Sequence, residues 1–270
     1  MTTTSEPRSG PLRVGLLGYG AINRAVVRQL VDGAVPGAHL RAVLTQHPDA
    51  VPEPFAVDDV RDLVQESDIV LEAAGHDALA AYGCDILENG CDLLAVSIGA
   101  LVDPALLEKL DAAGPGRLLL TSGAIGGLDL LQAAARAGAF DRVALTTTKR
   151  SAELVQPWMD EAECARVCDG SRVEVFRGTA AEAARLFPRS LNVAAAIALA
   201  VGSWDFVEVT LIGDASATTT THRVEAAGPT GDYAFELCNI VSSNPTTSAL
   251  TAHAALRGIA SLTGATRRFV

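Results

Sequence analysis

Residues 12–17 form a short apolar run that stops at Gly18 and Gly20 and passes directly into residues 21–31, where apolar side chains recur at helical spacing. A strand that turns so abruptly into a helix needs a residue free to take positive φ, which glycine supplies, so the pattern reads strand, tight turn, helix. The alternation continues down the chain. Strands are expected at residues 40–44, 69–73, 93–97 and 117–121, with helices at 57–65, 78–88 and 104–113 between them. Strands separated by helices cannot close as hairpins, because each helix carries the chain back across the sheet, so neighbouring strands run parallel. Roughly five such units in about 120 residues is an ordinary size for a doubly wound α/β domain.

Within that series the glycine turn acquires a chemical meaning. Gly18 permits the tight bend, Gly20 lets backbone approach a pyrophosphate, and Ala21 and Ile22 open a helix whose N-terminus favours an anion. The expectation is a Rossmann-type domain holding NAD or NADP through Gly18, Gly20, Ala21 and Ile22. Asn23 stands where the fingerprint places its third glycine, which predicts that helix and strand sit slightly further apart. At the end of the second strand the chain runs Leu44, Thr45, Gln46, His47, without the carboxylate that holds the ribose hydroxyls. A 2′-phosphate is then not repelled, and both cofactors stay open.

The remainder has another texture. A glycine-rich stretch at 122–127 leads to helices at 128–136, 180–186 and 192–200 and strands at 143–148, 173–177, 206–212, 219–226 and 233–239. Strands in such close succession imply a mixed or largely antiparallel sheet, hence an α+β second domain. The expected division is a dinucleotide-binding domain over 1–121 and a substrate and dimerisation domain over 122–244. A helix at 247–261, within the C-terminal stretch 245–270, packs back on the first domain. A net charge of −11 argues against nucleic acid as a partner, since phosphate binding needs clustered Lys and Arg. No apolar run approaches the roughly 18 residues of a membrane span, and residues 1–11 read as a frayed leader without the apolar segment of a secretory signal. Five cysteines without CxxC spacing suit reduced thiols and a cytoplasmic location. Cys164 and Cys168, with no histidine pair, read as packing residues, and no metal is expected.

The segments GYGAIN from Gly18, EAAGHDAL from Glu72, SIGALVD from Ser97, SGAIGGLDLL from Ser122, TTTKR from Thr146, RGTAAEAARLFPRSLNVAAAIALA from Arg177 and NPTTSALTAHAALR from Asn244 carry a resemblance over nearly all of residues 12–260. Together they resemble the L-aspartate dehydrogenase family. The resemblance implies oxidation of L-aspartate by NAD or NADP to iminosuccinate, which hydrolyses to oxaloacetate and ammonia or feeds NAD biosynthesis. It also implies a homodimer built through the second domain, whose sheet is expected to carry apolar outer residues that need cover. Ala124 and Asn192 match cofactor-contacting positions of the family, and His222 matches its catalytic histidine. Asn192 equally suits an N-cap for the apolar helix after it. A histidine titrating near neutrality fits the chemistry: the amine loses a proton as hydride leaves the α-carbon, and imine hydrolysis needs an activated water.

Two positions depart from the family pattern. Thr220 stands where the family commonly has Asn, two residues before its histidine, and Thr246 stands where the NPxTS motif commonly has Lys. Both bear on which acid is accepted. A dianionic substrate approaching a chain of this charge needs local donors, and Lys149, Arg150, Arg189 and Thr246 are the candidates. His76 is expected in a loop bordering the nicotinamide, while His39, His47 and His253 read as surface or packing residues. Two alternatives remain open: a related dehydrogenase or imine reductase acting on a different amino or keto acid, and a non-enzymatic dinucleotide sensor.

Overall fold

A computed structural model describes residues 10–169, 172–188, 190–241 and 248–264. Among them the chain forms a six-stranded and a five-stranded sheet. The first comprises β1 (Leu12–Leu17), β2 (Ala38–Leu44), β3 (Ala56–Val57), β4 (Ile69–Glu72), β5 (Asp92–Ala95) and β6 (Leu118–Leu120). Its order is β3-β2-β1-β4-β5-β6, with every pairing parallel. Helices α1 (Ala21–Val31), α2 (Val60–Gln65), α3 (His76–Glu88) and α4 (Pro104–Ala112) make the crossovers. Covered on both faces, β4 and β5 are buried at every residue, which is why they read as unbroken apolar runs apart from Glu72 and Asp92. The strand order reverses between β1 and β4, and a crevice opens there at the carboxyl ends of the strands, the usual ligand position in such sheets.

One expected element needs correction. The segment 57–65 is not a single helix: Ala56 and Val57 pair with Val43 and Leu44 as a short edge strand. The helix begins only at Val60, after Asp59, whose Oδ1 accepts from the Arg61 and Asp62 amides at 2.8 and 3.0 Å. That N-cap satisfies two of the first-turn donors and fixes the start.

Beyond β6 the chain forms α5 (Leu128–Ala135), β7 (Arg142–Lys149), α6 (Glu161–Cys168), β8 (Arg172–Thr179), α7 (Ala180–Leu186), α8 (Asn192–Val201), β9 (Val207–Asp214), β10 (Thr219–Gly228), β11 (Gly231–Ile240) and α9 (Ala249–Leu262). The second sheet runs β11-β10-β7-β9-β8 and is mixed: β7 and β9 are parallel, the other neighbours antiparallel. Its inner face is covered by alanine-rich helices. In α8, Ala194, Ala195 and Ala198 are wholly buried beside Val209 and Leu211 of β9, and small side chains of this kind let helix and sheet approach closely. The outer face is not apolar as expected, because Thr146, Thr148, Thr221, Arg172, Arg223 and Glu236 line it.

Helix α9 returns to the first sheet. Ala252, Ala255, Leu256 and Ile259 join a core with Leu16, Val26, Leu30 and Leu94. Helix α6 has no strong apolar stripe and carries a capping box, with Asp160 Oδ1 accepting from the Glu163 amide at 2.8 Å and Glu163 Oε2 accepting from the Asp160 amide at 3.3 Å. On it Cys168 is exposed rather than packed. No described helix is long and apolar enough to cross a membrane, and no described cluster of acidic, His and Cys side chains could hold a metal ion.

Candidate active site

The glycine turn sits at the crevice. Gly18 has φ +90°, and a Cβ there would stand 2.8 Å from Ala74 Cβ and 3.1 Å from the Ala73 carbonyl, so both the backbone angle and the close approach require glycine. Gly20 is the N-cap of α1, and a Cβ there would meet nothing within 4 Å. That open space in front of the helix N-terminus fits a dinucleotide pyrophosphate. Asn23, expected to push helix and strand apart, instead ties them together: it is wholly buried, and its Nδ2 donates to the carbonyls of Leu17 at 3.0 Å and Gly18 at 2.8 Å. The groove beyond the turn is bordered by Tyr19, Arg24, Thr45 and His47. His47, read from sequence as a surface or packing residue, is exposed, at the rim of this groove.

Glu72 escaped the sequence reading. Wholly buried at the end of β4, it accepts through Oε1 from the Ala74 and Gly75 amides at 2.8 and 3.0 Å and from the Ser97 hydroxyl at 2.8 Å, and through Oε2 from the Ser97 amide at 3.0 Å. One carboxylate therefore fixes the loops leaving β4 and β5 against each other. Its sequence signals are its place at the head of the EAAGHDAL segment and the presence of an acid closing an otherwise apolar strand.

A second cleft, about 590 Å³ including its open mouth, lies further along the crevice and is bordered by Ile22, Ala124, Asn192, Lys149, Thr220 and His222. Ala124 is buried, and its carbonyl accepts from Asn239 Nδ2 at 2.8 Å. Asn192 does not cap α8: Leu191 holds the cap position, and Asn192 Oδ1 accepts from the Gly99 amide at 2.9 Å, joining the second sheet's helix to the turn after β5. His76 is not in a loop but opens α3, and its ring packs against Gly99, where a Cβ would lie 2.8 Å from its Nε2. Burial lowers its pKa, with Asn192 and Glu72 opposing.

Strands β7 and β10 supply the polar wall. Thr147 lies opposite His222 in the antiparallel register, and because strand side chains alternate, Lys149 shares the face of Thr147 and Thr220 shares that of His222. Thr147 Oγ1 lies 3.0 Å from His222 Nδ1. His222 is buried at 2% exposure, and that burial, aided by the positive charge of Lys149, pushes its pKa down to about 3. Both effects favour the neutral ring, in the direction away from the histidine poised near neutrality that the sequence led one to expect. Burial also lowers Lys149, to about 8, with Glu153 opposing. Glu153 is raised, mainly by burial, against Lys149 and Arg150. Arg150 is exposed and does not border the cleft, and its Nε lies 3.4 Å from the Ala217 carbonyl. It is therefore withdrawn as a substrate contact, since the chain leaves β7 between Lys149 and Arg150. Arg189 and Thr246 lie outside the described residues.

Comparison with known proteins bears on the same two regions. The family described as the NAD binding domain of homoserine dehydrogenase matches residues 18–115, and the family described as the C-terminal part of aspartate dehydrogenase matches residues 129–262. An L-aspartate dehydrogenase of Ralstonia pickettii is 36% identical, the alignment covering 92% of this chain and 96% of the relative. One of Pseudomonas aeruginosa is 34% identical with the same coverage. The crystal structure of aspartate dehydrogenase from Thermotoga maritima superposes with a TM-score of 0.74 at 26% identity, covering 96% of this chain and 98% of that one. Scyllo-inositol dehydrogenase of Lactobacillus casei, at 12% identity and a TM-score of 0.51, shares the fold alone.

Proposed function

The chain belongs to the L-aspartate dehydrogenase family, and from that premise we propose that its cleft oxidises L-aspartate at the α-amine with NAD or NADP, His222 standing at the reacting carbon. The observation that carries this reading is continuity. Gly18 and Gly20 border the groove at the turn, and Ile22, two residues on, borders the cleft that holds His222. A cofactor whose pyrophosphate rests on Gly20 and Ala21 directs its adenosine toward Thr45 and His47 and its nicotinamide toward Ala124 and Asn192. When bound, it supplies the hydride acceptor. The residues of the chain do the rest. Thr147 holds the His222 ring by Nδ1, leaving Nε2 as the nitrogen available to a substrate. Ser122, Thr220 and Ser248 bring hydroxyl donors to the substrate carboxylates beside Lys149.

In this reading the first sheet's unit, 1–121, binds the cofactor, while 122–244 binds substrate and forms a homodimer. Ile240, at 72% exposure on edge strand β11, is an apolar side chain that a partner copy would cover. The free thiols of all five cysteines suit a reducing cytoplasm. The imine product hydrolyses to oxaloacetate and ammonia or feeds NAD biosynthesis.

Thr220 favours one second reading, the same chemistry on a different acid, because it borders the cleft at the position that departs from the family. A panel of amino acids and keto acids, assayed in both directions with NAD and NADP, separates the two. The highest kcat/KM is expected for L-aspartate, and in reverse for oxaloacetate with ammonia. A higher value for another acid rejects aspartate, and tight cofactor binding without turnover of any acid supports a sensor.

A further inference from the structure

Only two of the 21 basic residues in this chain are lysines, Lys109 and Lys149. Lys109 lies exposed on helix α4, where an arginine would serve as well. Lys149 is 5% exposed and borders the cleft with His222. The two side chains reach that cleft from adjacent strands, Lys149 two residues beyond the Thr147 that holds the imidazole. A chain that otherwise uses arginine almost throughout has placed its one buried lysine at the proposed reacting centre. Arginine is a permanent cation, whereas lysine gives up its proton when desolvated.

Resting on the proposed amine oxidation, we propose that Lys149 is the acid–base residue of the reaction, its Nζ taking the proton that the substrate ammonium sheds, while His222, held by Thr147 at the same cleft, acts as a hydrogen-bonding partner. The step balances. One N–H bond of the substrate ammonium breaks and its proton moves to Nζ. The nitrogen lone pair so released forms the C=N bond as the Cα–H bond breaks, its electron pair leaving with hydrogen to the oxidised nicotinamide. The products are the iminium, the reduced cofactor and a protonated Lys149.

The electrostatics agree. Burial holds Lys149 at about 8, close to the operating pH at which a general base is most effective. His222, at about 3, is too weak a base for an ammonium proton. Glu153, from the turn after β7, acts on Lys149, and Lys149 in turn acts on His222 of β10. Arg150 acts on Glu153. Glu153 favours the protonated amine without restoring its ordinary value, so the group can cycle between both forms.

With only two lysines, protein labelled with ¹⁵N at lysine Nζ gives two signals, which Lys109→Arg assigns. The Lys149 signal is expected to titrate near 8, well below the value of about 10.4 for a lysine in water. For the wild type, kcat/KM for L-aspartate rises about tenfold per pH unit below 8 and levels above it. Lys149→Arg keeps the charge but cannot surrender the proton. It is expected to retain NADH affinity by fluorescence and a near-normal KM for aspartate, while kcat falls by about 10²–10⁴. Methylamine restores part of the activity of Lys149→Ala, in proportion to its free-base form. Wild-type kcat in Lys149→Arg, an acid limb unchanged in Lys149→Ala, or a Lys149 signal at an unperturbed value each overturns the assignment. Absence of wild-type turnover instead overturns the reaction on which it rests, so the two failures are distinguishable.

Discussion

Glu72→Gln tests how the crevice is held in shape. The carboxylate accepts four hydrogen bonds, three at Oε1 and one at Oε2, and the isosteric amide has a single oxygen. If that oxygen stays toward Ala74, Gly75 and the Ser97 hydroxyl, the new NH2 group faces the Ser97 amide, donor against donor. A bond to a charged acceptor contributes about 1.5–3 kcal/mol, and an unsatisfied buried donor costs about 1–3 kcal/mol. The three surviving bonds weaken as the charge disappears, whereas the amide is easier to bury than the anion. The net expectation is a loss of about 2–4 kcal/mol, which in a protein of this size lowers Tm by on the order of 10 °C. Urea titration followed by circular dichroism measures the loss. Because Ala73 and Ala74 wall the groove beside Gly18, the Kd for NADH rises in parallel, and saturating NADH recovers part of the stability by mass action. A Glu72→Gln protein within about 0.5 kcal/mol of wild type, with an unchanged Kd, refutes the claim that this carboxylate sets the loop positions.

Thr147→Val preserves volume but removes the hydroxyl 3.0 Å from His222 Nδ1. It is expected to lower kcat about tenfold through misorientation of the ring while KM for the cofactor stays unchanged, and an unaltered kcat contradicts that role. Arg24, whose guanidinium lies 5.4 Å from the Tyr19 ring centroid, borders the groove with Thr45 and His47 against the single carboxylate of Asp58. Accordingly 2′,5′-ADP should displace NADPH about tenfold better than 5′-AMP does, a charge-assisted bond supplying at least that much, and Arg24→Ala should erase the difference. Equal displacement by the two nucleotides in the wild type denies a 2′-phosphate site.

The first sheet was legible because its logic is local. An apolar run, a glycine turn and an amphipathic helix announce each unit, and parallel pairing follows from the alternation. What failed to show was set by distant partners. The strand at Ala56–Val57 is defined by pairing with Val43 and Leu44 rather than by any pattern of its own. Helix α6 is the exception: its signal is local, but it lies in a polar capping box instead of an apolar stripe. Asn23 could be seen to break the glycine fingerprint, but not to donate to Leu17 and Gly18. His222 was visible as a residue type in a family context, yet its ionisation depends on the burial supplied by packed neighbours and on the charge of Lys149. Lys149 and Arg150 looked alike in sequence. They separate because only Lys149 belongs to β7 and to the cleft face shared with Thr147, while Arg150 follows the strand and reaches Ala217.

The central claim is that hydride leaves the α-carbon of L-aspartate in the cleft beside His222. Its most direct test is L-aspartate deuterated at that carbon, incubated with NAD and with NADP, the reduced nucleotide then being examined by mass spectrometry for the wild type and for a folded His222→Ala protein. The account predicts reduced cofactor carrying one deuterium in the wild type and a rate lower by about 10²–10³ in the variant, the loss expected when one preorganised hydrogen-bonding group is removed from a reacting centre. Reduced cofactor without the label, or equal rates in the two proteins, contradicts it.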